Sequence, residues 1–406
     1  MGEPFRPGDH RRVRRLLAAL SVGLAIIALG GLIAACGGGG SSSGESTEAA
    51  GAESSEESSA KSESGTSEVV AAAEKASAPY FKPPPNVGNT VPLKEAPPTG
   101  LHVVALSCEL SVCEGWRDGV EEAGKLLGWT TKKVAFSGAP EDDLAKISQA
   151  VSEHPDAILI DGIARETYEP AAEAAADAGI PIVTQLGELT GKATPPFIEV
   201  DYQQGAFDTM SEATANWFIA DSEGKGDALL VQYAGFPLST RIIETTSKTV
   251  ADNCPECKTK TITAQAEDTG TKLPSIIIGE LQRDPSMNYV ILQDMVMATG
   301  LEAALREAGL LGKVKIMGND ATPEAMKSVE EGNFLGVMAY SQLSAAYQGI
   351  DAVARHAVGM PQQDEVPLMT QIFTKENLPP NATEETWNNL PPTLKQEYEE
   401  LWQVSK

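Results

Sequence analysis

The strongest constraint on the fold is an alternation, from residue 101 onward, of short apolar runs with longer stretches of helical spacing. Residues 101–106 form a run of the kind that a strand buried on both faces requires, and 112–127 carry helical periodicity that stops at Gly128. Residues 133–136, 157–160 and 182–184 are further strand-like runs. Between them lie helical patterns over 140–153, opened by Pro140 and acidic residues, and over 167–178. Four strands separated by helices predict a parallel sheet. The pattern then recurs, with strands over 228–231, 260–263, 289–292 and 314–317 and helices over 239–251, 273–281, 299–308 and 323–331. The expectation is an α/β chain with two doubly wound parallel-sheet lobes. In such sheets ligands collect beyond the carboxyl ends of the strands, here 107–110, 161–165, 185–186, 232–236, 293–295 and 318–320.

The first 35 residues are of another kind. Arg11, Arg12, Arg14 and Arg15 precede an apolar run over 16–35, the pattern of an export signal held by its charges on the cytoplasmic side. The run ends Leu32-Ile33-Ala34-Ala35-Cys36-Gly37, which resembles a lipobox with Cys36 as the lipid acceptor. The alternative is an uncleaved membrane anchor, since the run nearly spans a bilayer. Either places the body outside the cytoplasm. From Gly37 to about Val69 the chain is Gly, Ser, Glu and Ala, and Pro-rich sequence follows to Pro98. So little apolar surface predicts an unstructured tether over 36–98, with a reach of roughly 45 Å.

The formal charge is −26, and removing the first 35 residues, net +3, leaves −29. That surface repels phosphate backbones, so nucleic acid is not an expected partner. Beyond Cys36 four cysteines remain, Cys108 with Cys113 and Cys254 with Cys257. An even number outside the cell favours two local disulfides. A zinc site joining the pairs and a redox-active Cys254-Pro255-Glu256-Cys257 are the alternatives; the four histidines are scattered, and the motif does not open a helix after a strand.

The order of segments over 101–378 resembles the periplasmic sugar-binding protein family related to ribose-binding protein. The resemblance rests on Pro155-Asp156-Ala157-Ile158-Leu159-Ile160, Ala178-Gly179-Ile180-Pro181-Ile182-Val183, Val200-Asp201-Tyr202-Gln203-Gln204-Gly205 and Ile316-Met317-Gly318-Asn319-Asp320-Ala321-Thr322-Pro323. Gly359-Met360-Pro361 and Thr374-Lys375-Glu376-Asn377 extend it to the closing strand. It implies the type 1 periplasmic binding protein fold, two lobes joined by a three-segment hinge near Asp201, Tyr340 and 360–365. The domains expected are a signal peptide over 1–35 and the tether over 36–98. An N-terminal lobe then takes 99–200 with 342–363, and a C-terminal lobe with its tail takes 201–341 with 364–406.

The resemblance also implies site residues. Asp320 matches a ligand-binding aspartate and Arg241 a ligand-binding arginine, Asp294 stands where the family has Asn, and Tyr340 where it has Gln. The chain departs from the family at two places: Val112 and Cys113 replace an aromatic pair, and Leu186 and Gly187 replace the arginine after the fourth strand. A sugar hydroxyl both donates and accepts, so its site needs carboxylates, amides, a guanidinium and an aromatic face. Gln185, Arg165, Glu109 and Trp116 complete the candidates, with Phe236 and Tyr168 as further stacking platforms. For each there is a plainer role: Asp320 as a turn residue, Arg241 as a solvated arginine, Trp116 as core.

The function expected is a solute-binding lipoprotein of an ABC importer, anchored to the outer face of the cell membrane through Cys36. As a monomer without cofactor or metal, it would deliver a small polar ligand, a monosaccharide, to a permease. A sensor feeding a receptor kinase or chemoreceptor is the alternative. Residues 187–194 are a near miss for a phosphate-binding loop, with three residues between the glycines and Ala193 after Lys192. Neither a nucleophile elbow nor a metal-spaced cluster appears, so an exported enzyme is not expected.

Overall fold

The computed structural model describes residues 56–109, 111–185, 196–199, 203–362 and 367–404. The export signal, Cys36, Leu186, Gly187, the loop-like segment 187–194 and the crossing at Asp201 lie outside them. Residues from Ser54 onward make one compact unit.

Helix α1 (Glu56–Ser77) precedes the first sheet. The first lobe is built from β1 (His102–Cys108), α2 (Ser111–Leu126), β2 (Thr130–Phe136), α3 (Pro140–Ser152), β3 (Ala157–Asp161), α4 (Glu169–Ala178), β4 (Ile182–Gln185) and β5 (Phe197–Glu199). Its five strands are all parallel, in the order β2-β1-β3-β4-β5. The central strand β3 is buried along its whole length, whereas β2, at the edge, carries the partly exposed Lys132 and Lys133. Edge lysines discourage pairing with a second chain. Gly179 ends α4 in the left-handed conformation, φ 70°, which a residue without Cβ adopts without strain.

The second lobe follows with α5 (Gln203–Asp221), β6 (Asp227–Tyr233), α6 (Pro237–Asn253), β7 (Lys258–Ala264), α7 (Leu273–Arg283), β8 (Tyr289–Leu292), α8 (Leu301–Glu307), β9 (Lys315–Asn319), α9 (Pro323–Glu331) and β10 (Gly336–Tyr340). The chain then crosses to the first lobe as α10 (Gln342–Ala357), packed on α2, and returns as β11 (Thr370–Thr374). The second sheet runs β11-β10-β9-β8-β6-β7, parallel except where β11 meets β10. Helices α11 (Glu384–Asn388) and α12 (Leu394–Leu401) close the chain. One hydrophobic core runs from the first lobe through α10 into α5 and β6, while each sheet packs a separate core on its other face.

Two expected boundaries move. The unstructured tether does not extend to residue 98. Helix α1 packs on α5, the Phe81 ring meets Trp217 edge-on at 6.2 Å, and Val87 and Leu93 are fully buried. Leu93 N–H donates to the Leu401 carbonyl (2.8 Å), and Trp129 Nε1 donates to the Pro98 carbonyl (2.8 Å). The segment is polar on average, but its few apolar residues fall where they fill gaps in two lobes. The C-terminal tail likewise does not stay with the second lobe. Trp402 stacks on Tyr347 of α10 with centroids 5.6 Å apart and planes at 12°, and Lys395 pairs with Glu122 of α2.

Both cysteine pairs are disulfides, with Cα–Cα distances of 5.5 Å for Cys108–Cys113 and 5.3 Å for Cys254–Cys257. Oxidised pairs supply no thiolates to zinc.

Candidate functional site

The carboxyl ends of both sheets meet at a cavity of about 150 Å³. From the first lobe it is lined by the Cys108–Cys113 disulfide and by Asp161, Gly162 and Ala164. From the second it is lined by Tyr233, Phe236, Ser239, Gln293, Asp294 and Asp320, with Tyr340 and Gln342 at the crossing between lobes. A cavity of this size takes one six-membered ring; an engineered apolar cavity of about 150 Å³ admits benzene.

Each lining carboxyl is placed by a strand end. Asp161 is the last residue of β3 and is 3 % exposed. Burial pushes its carboxyl up to about 8, against the opposing pull of the Arg117 guanidinium. Arg117 itself is engaged elsewhere, its Nη1 donating to Ser107 Oγ and the Cys108 carbonyl, both at 2.6 Å. Asp294 caps a turn of 3₁₀ helix after β8, accepting from Val296 N–H at 2.7 Å, and burial raises it to about 6. Asp320 follows β9 at φ 59°, a left-handed conformation uncommon for a residue with a Cβ, although Asp adopts it more readily than most. Its Oδ1 accepts from Ala321 N–H at 2.9 Å. Burial and the neighbouring Asp294 charge hold it well above the usual carboxylate range.

The polar wall is wired to these acids. Gln342 Nε2 donates to Tyr340 Oη at 2.6 Å and lies 3.5 Å from Asp320 Oδ2. Ser239 Oγ accepts from Tyr233 N–H and donates to Gln293 Oε1, fixing the loop that opens α6. Phe236 in that loop is 41 % exposed, with its ring centroid 6.1 Å from that of Tyr233. These two rings offer the aromatic face a ring-shaped ligand needs.

Of the residues singled out from sequence, Asp320, Asp294 and Tyr340 are brought together here, with Phe236. The others lie elsewhere. Arg241 makes a two-pronged pair with Asp208 on α5, Nε to Oδ1 at 2.8 Å and Nη2 to Oδ2 at 2.7 Å. Gln185 is locked inside the first lobe, accepting from Trp116 Nε1 at 3.0 Å and donating to the Ala345 carbonyl at 2.8 Å. Trp116 and Tyr168 are fully buried core. Arg165 sits 4.1 Å over the Phe197 ring, and the exposed Glu109 faces Lys146 at 3.8 Å. Asp161, Gln293 and Gln342 were not singled out. Asp161 was detectable as the acid ending an otherwise apolar strand run, a position that faces the crevice in a parallel sheet.

A family model described as a periplasmic binding protein domain matches residues 109–361. The ribose import binding protein of Salmonella typhimurium is 22 % identical over 263 residues, 64 % of this chain and 85 % of that protein. Among solved structures, a periplasmic solute-binding protein from Actinobacillus succinogenes with bound D-allose superposes with a TM-score of 0.60 at 20 % identity, covering 68 % of this chain and 98 % of that one. A 5-methylthioribose transporter solute-binding protein from Thermotoga lettingae, in complex with 5-methylthioribose, gives a TM-score of 0.63 at 19 % identity, covering 78 % and 100 %.

Proposed function

The chain belongs to the periplasmic binding protein family, and from that premise we propose that it is the extracytoplasmic solute-binding subunit of an ABC importer. It takes one sugar-sized ligand between its lobes and presents the closed form to a permease. The observation that supports this most is the convergence of strand ends from both sheets, Asp161 from one and Asp294 and Asp320 from the other, on one ring-sized cavity. The ribose and D-allose proteins named above support a sugar as the ligand class. A ligand that touches both lobes only when they are together shifts the population toward closure; going from 1:99 to 99:1 takes a preference of about 5.5 kcal/mol. The crossing at Tyr340, Ser341 and Gln342 joins the lobes beside the cavity and is one hinge strand. Cys36, at the exit of the apolar N-terminal run, holds the body at the membrane through a lipid.

Thermal unfolding against pentoses, hexoses, amino sugars, polyols, nucleosides and amino acids tests this reading. A bound sugar is expected to add about 2.7 kcal/mol of stability at a hundredfold excess over Kd, and Asp320→Ala is expected to abolish the shift. If amino acids or nucleosides stabilise and no sugar does, the sugar is wrong. A sugar-induced shift that survives Asp320→Ala would place the ligand outside this cavity.

A further inference from the structure

We propose that the ligand carries a cationic amine, as a protonated amino sugar or aminocyclitol does, and that Asp161 is the residue that receives it. This rests on the sugar-sized ligand site proposed above and names its chemistry. Three carboxyl groups line the cavity, and among the described residues lining it there is no Lys, Arg or His. Arg117 donates to Ser107 and the Cys108 carbonyl and pulls on Asp161 only through its charge, while Arg241 pairs with Asp208, Arg165 lies over Phe197 and Lys146 pairs with Asp142. Asp161 is 3 % exposed and faces the cavity with no hydrogen-bond or ion-pair partner among the described residues. Such a carboxyl is costly to bury unless something donates to it.

Once Asp161 is ionised, the donor count favours an ammonium over a hydroxyl. An ionised carboxylate only accepts, a hydroxyl donates once and accepts, and an ammonium offers three donors and no acceptor. In the cavity wall the Tyr340 and Gln342 donors already serve one another and Asp320. A neutral sugar would bring no charge to a cavity lined by three acids, on one of which only the Arg117 guanidinium pulls. An amine supplies that charge, and the exposed Phe236 ring beside Tyr233 offers its face to the same cation. The raised carboxyl of Asp161 fits a group that is held neutral while empty and ionises when a cation arrives.

Calorimetric titration of the full-length protein in detergent at pH 7, with matched pairs, tests the proposal. The pairs are glucosamine with glucose, galactosamine with galactose, and an aminocyclitol with inositol. The amine member of at least one pair is expected to bind at least about tenfold tighter than its neutral partner. Asp161→Asn, with unchanged circular dichroism, is expected to bring that pair within about threefold, and Asp294→Asn gives a second, independent reading of the same loss. A neutral partner that binds as tightly as its amine, or more tightly, overturns the cationic ligand and leaves the sugar site standing. A preference for the amine that persists in both variants also overturns it. Failure of every member of every pair to bind would overturn the sugar site as well.

Discussion

Arg355→Ala is expected to destabilise the protein by about 4 kcal/mol, because it leaves a buried carboxylate without its counter-charge. Arg355 is 1 % exposed on α10. Its Nε donates to Asp351 Oδ2 at 2.6 Å, and its Nη2 donates to Asn89 Oδ1 at 3.1 Å and to the Val91 carbonyl at 2.6 Å. Asp351 also accepts from Asn89 Nδ2 at 2.6 Å and from Trp402 Nε1 at 2.8 Å. The cluster therefore ties together the segment before the first sheet, the helix between the lobes and the last turn of the chain. Burial pushes the Asp351 carboxyl up even with Arg355 against it, so removing the guanidinium strips the main opposing pull. Urea unfolding followed by circular dichroism measures the loss. A loss below about 1 kcal/mol would mean that water reaches the cluster and that the three segments are not tied as described.

Asp161→Asn is expected to stabilise the ligand-free protein at pH 8 while weakening its function. The folded carboxyl is raised to about 8, chiefly by burial, and the unfolded one titrates near the ordinary carboxylate value. The folded state thus holds a proton that the unfolded state has released. That contribution to stability is complete below the unfolded pKa and is lost as pH rises through the folded one. Asparagine keeps the shape and carries no proton to lose. The stability gap between variant and parent should therefore widen by up to about 1.4 kcal/mol per pH unit between pH 5 and pH 8. Denaturant midpoints of both proteins across that range decide it. A gap that stays constant with pH would show that the carboxyl is already ionised in the folded protein. Stability traded against function at one buried acid is the pattern expected of a binding site.

The lobes were legible in the sequence because central parallel strands are continuous apolar runs. Residues 157–160 and 289–292 are of that kind, and they lie in β3 and β8. The strand ends to search followed from the same reading, and Asp294 and Asp320, which the family resemblance picked out, lie at two of them. Two long helices did not stand out. α10 is buried almost throughout, from Ser344 to Arg355, and α5 hides Phe207, Trp217 and Phe218 together with Ser211 and Thr214. A helix covered on several sides lacks the single apolar stripe that marks an amphipathic one. The polar-looking segment before residue 98 misled for a different reason. Val87 and Leu93 stand among polar residues and prolines, yet both are fully buried in the core that runs through the two lobes. Arg241 shows the limit of matching by position. It stands at the expected spacing on α6, but Asp208, on a neighbouring helix with no counterpart in the motif, takes both prongs of its guanidinium.

Hydrogen exchange with a saturating ligand from the thermal screen tests the central claim most directly. The account predicts slowed exchange in both lobes at once, around 161–164 in the first, 234–239 and 294–298 in the second, and 340–342 at the crossing. Protection confined to one lobe, or appearing away from these strand ends, would contradict binding in the cleft between the two sheets.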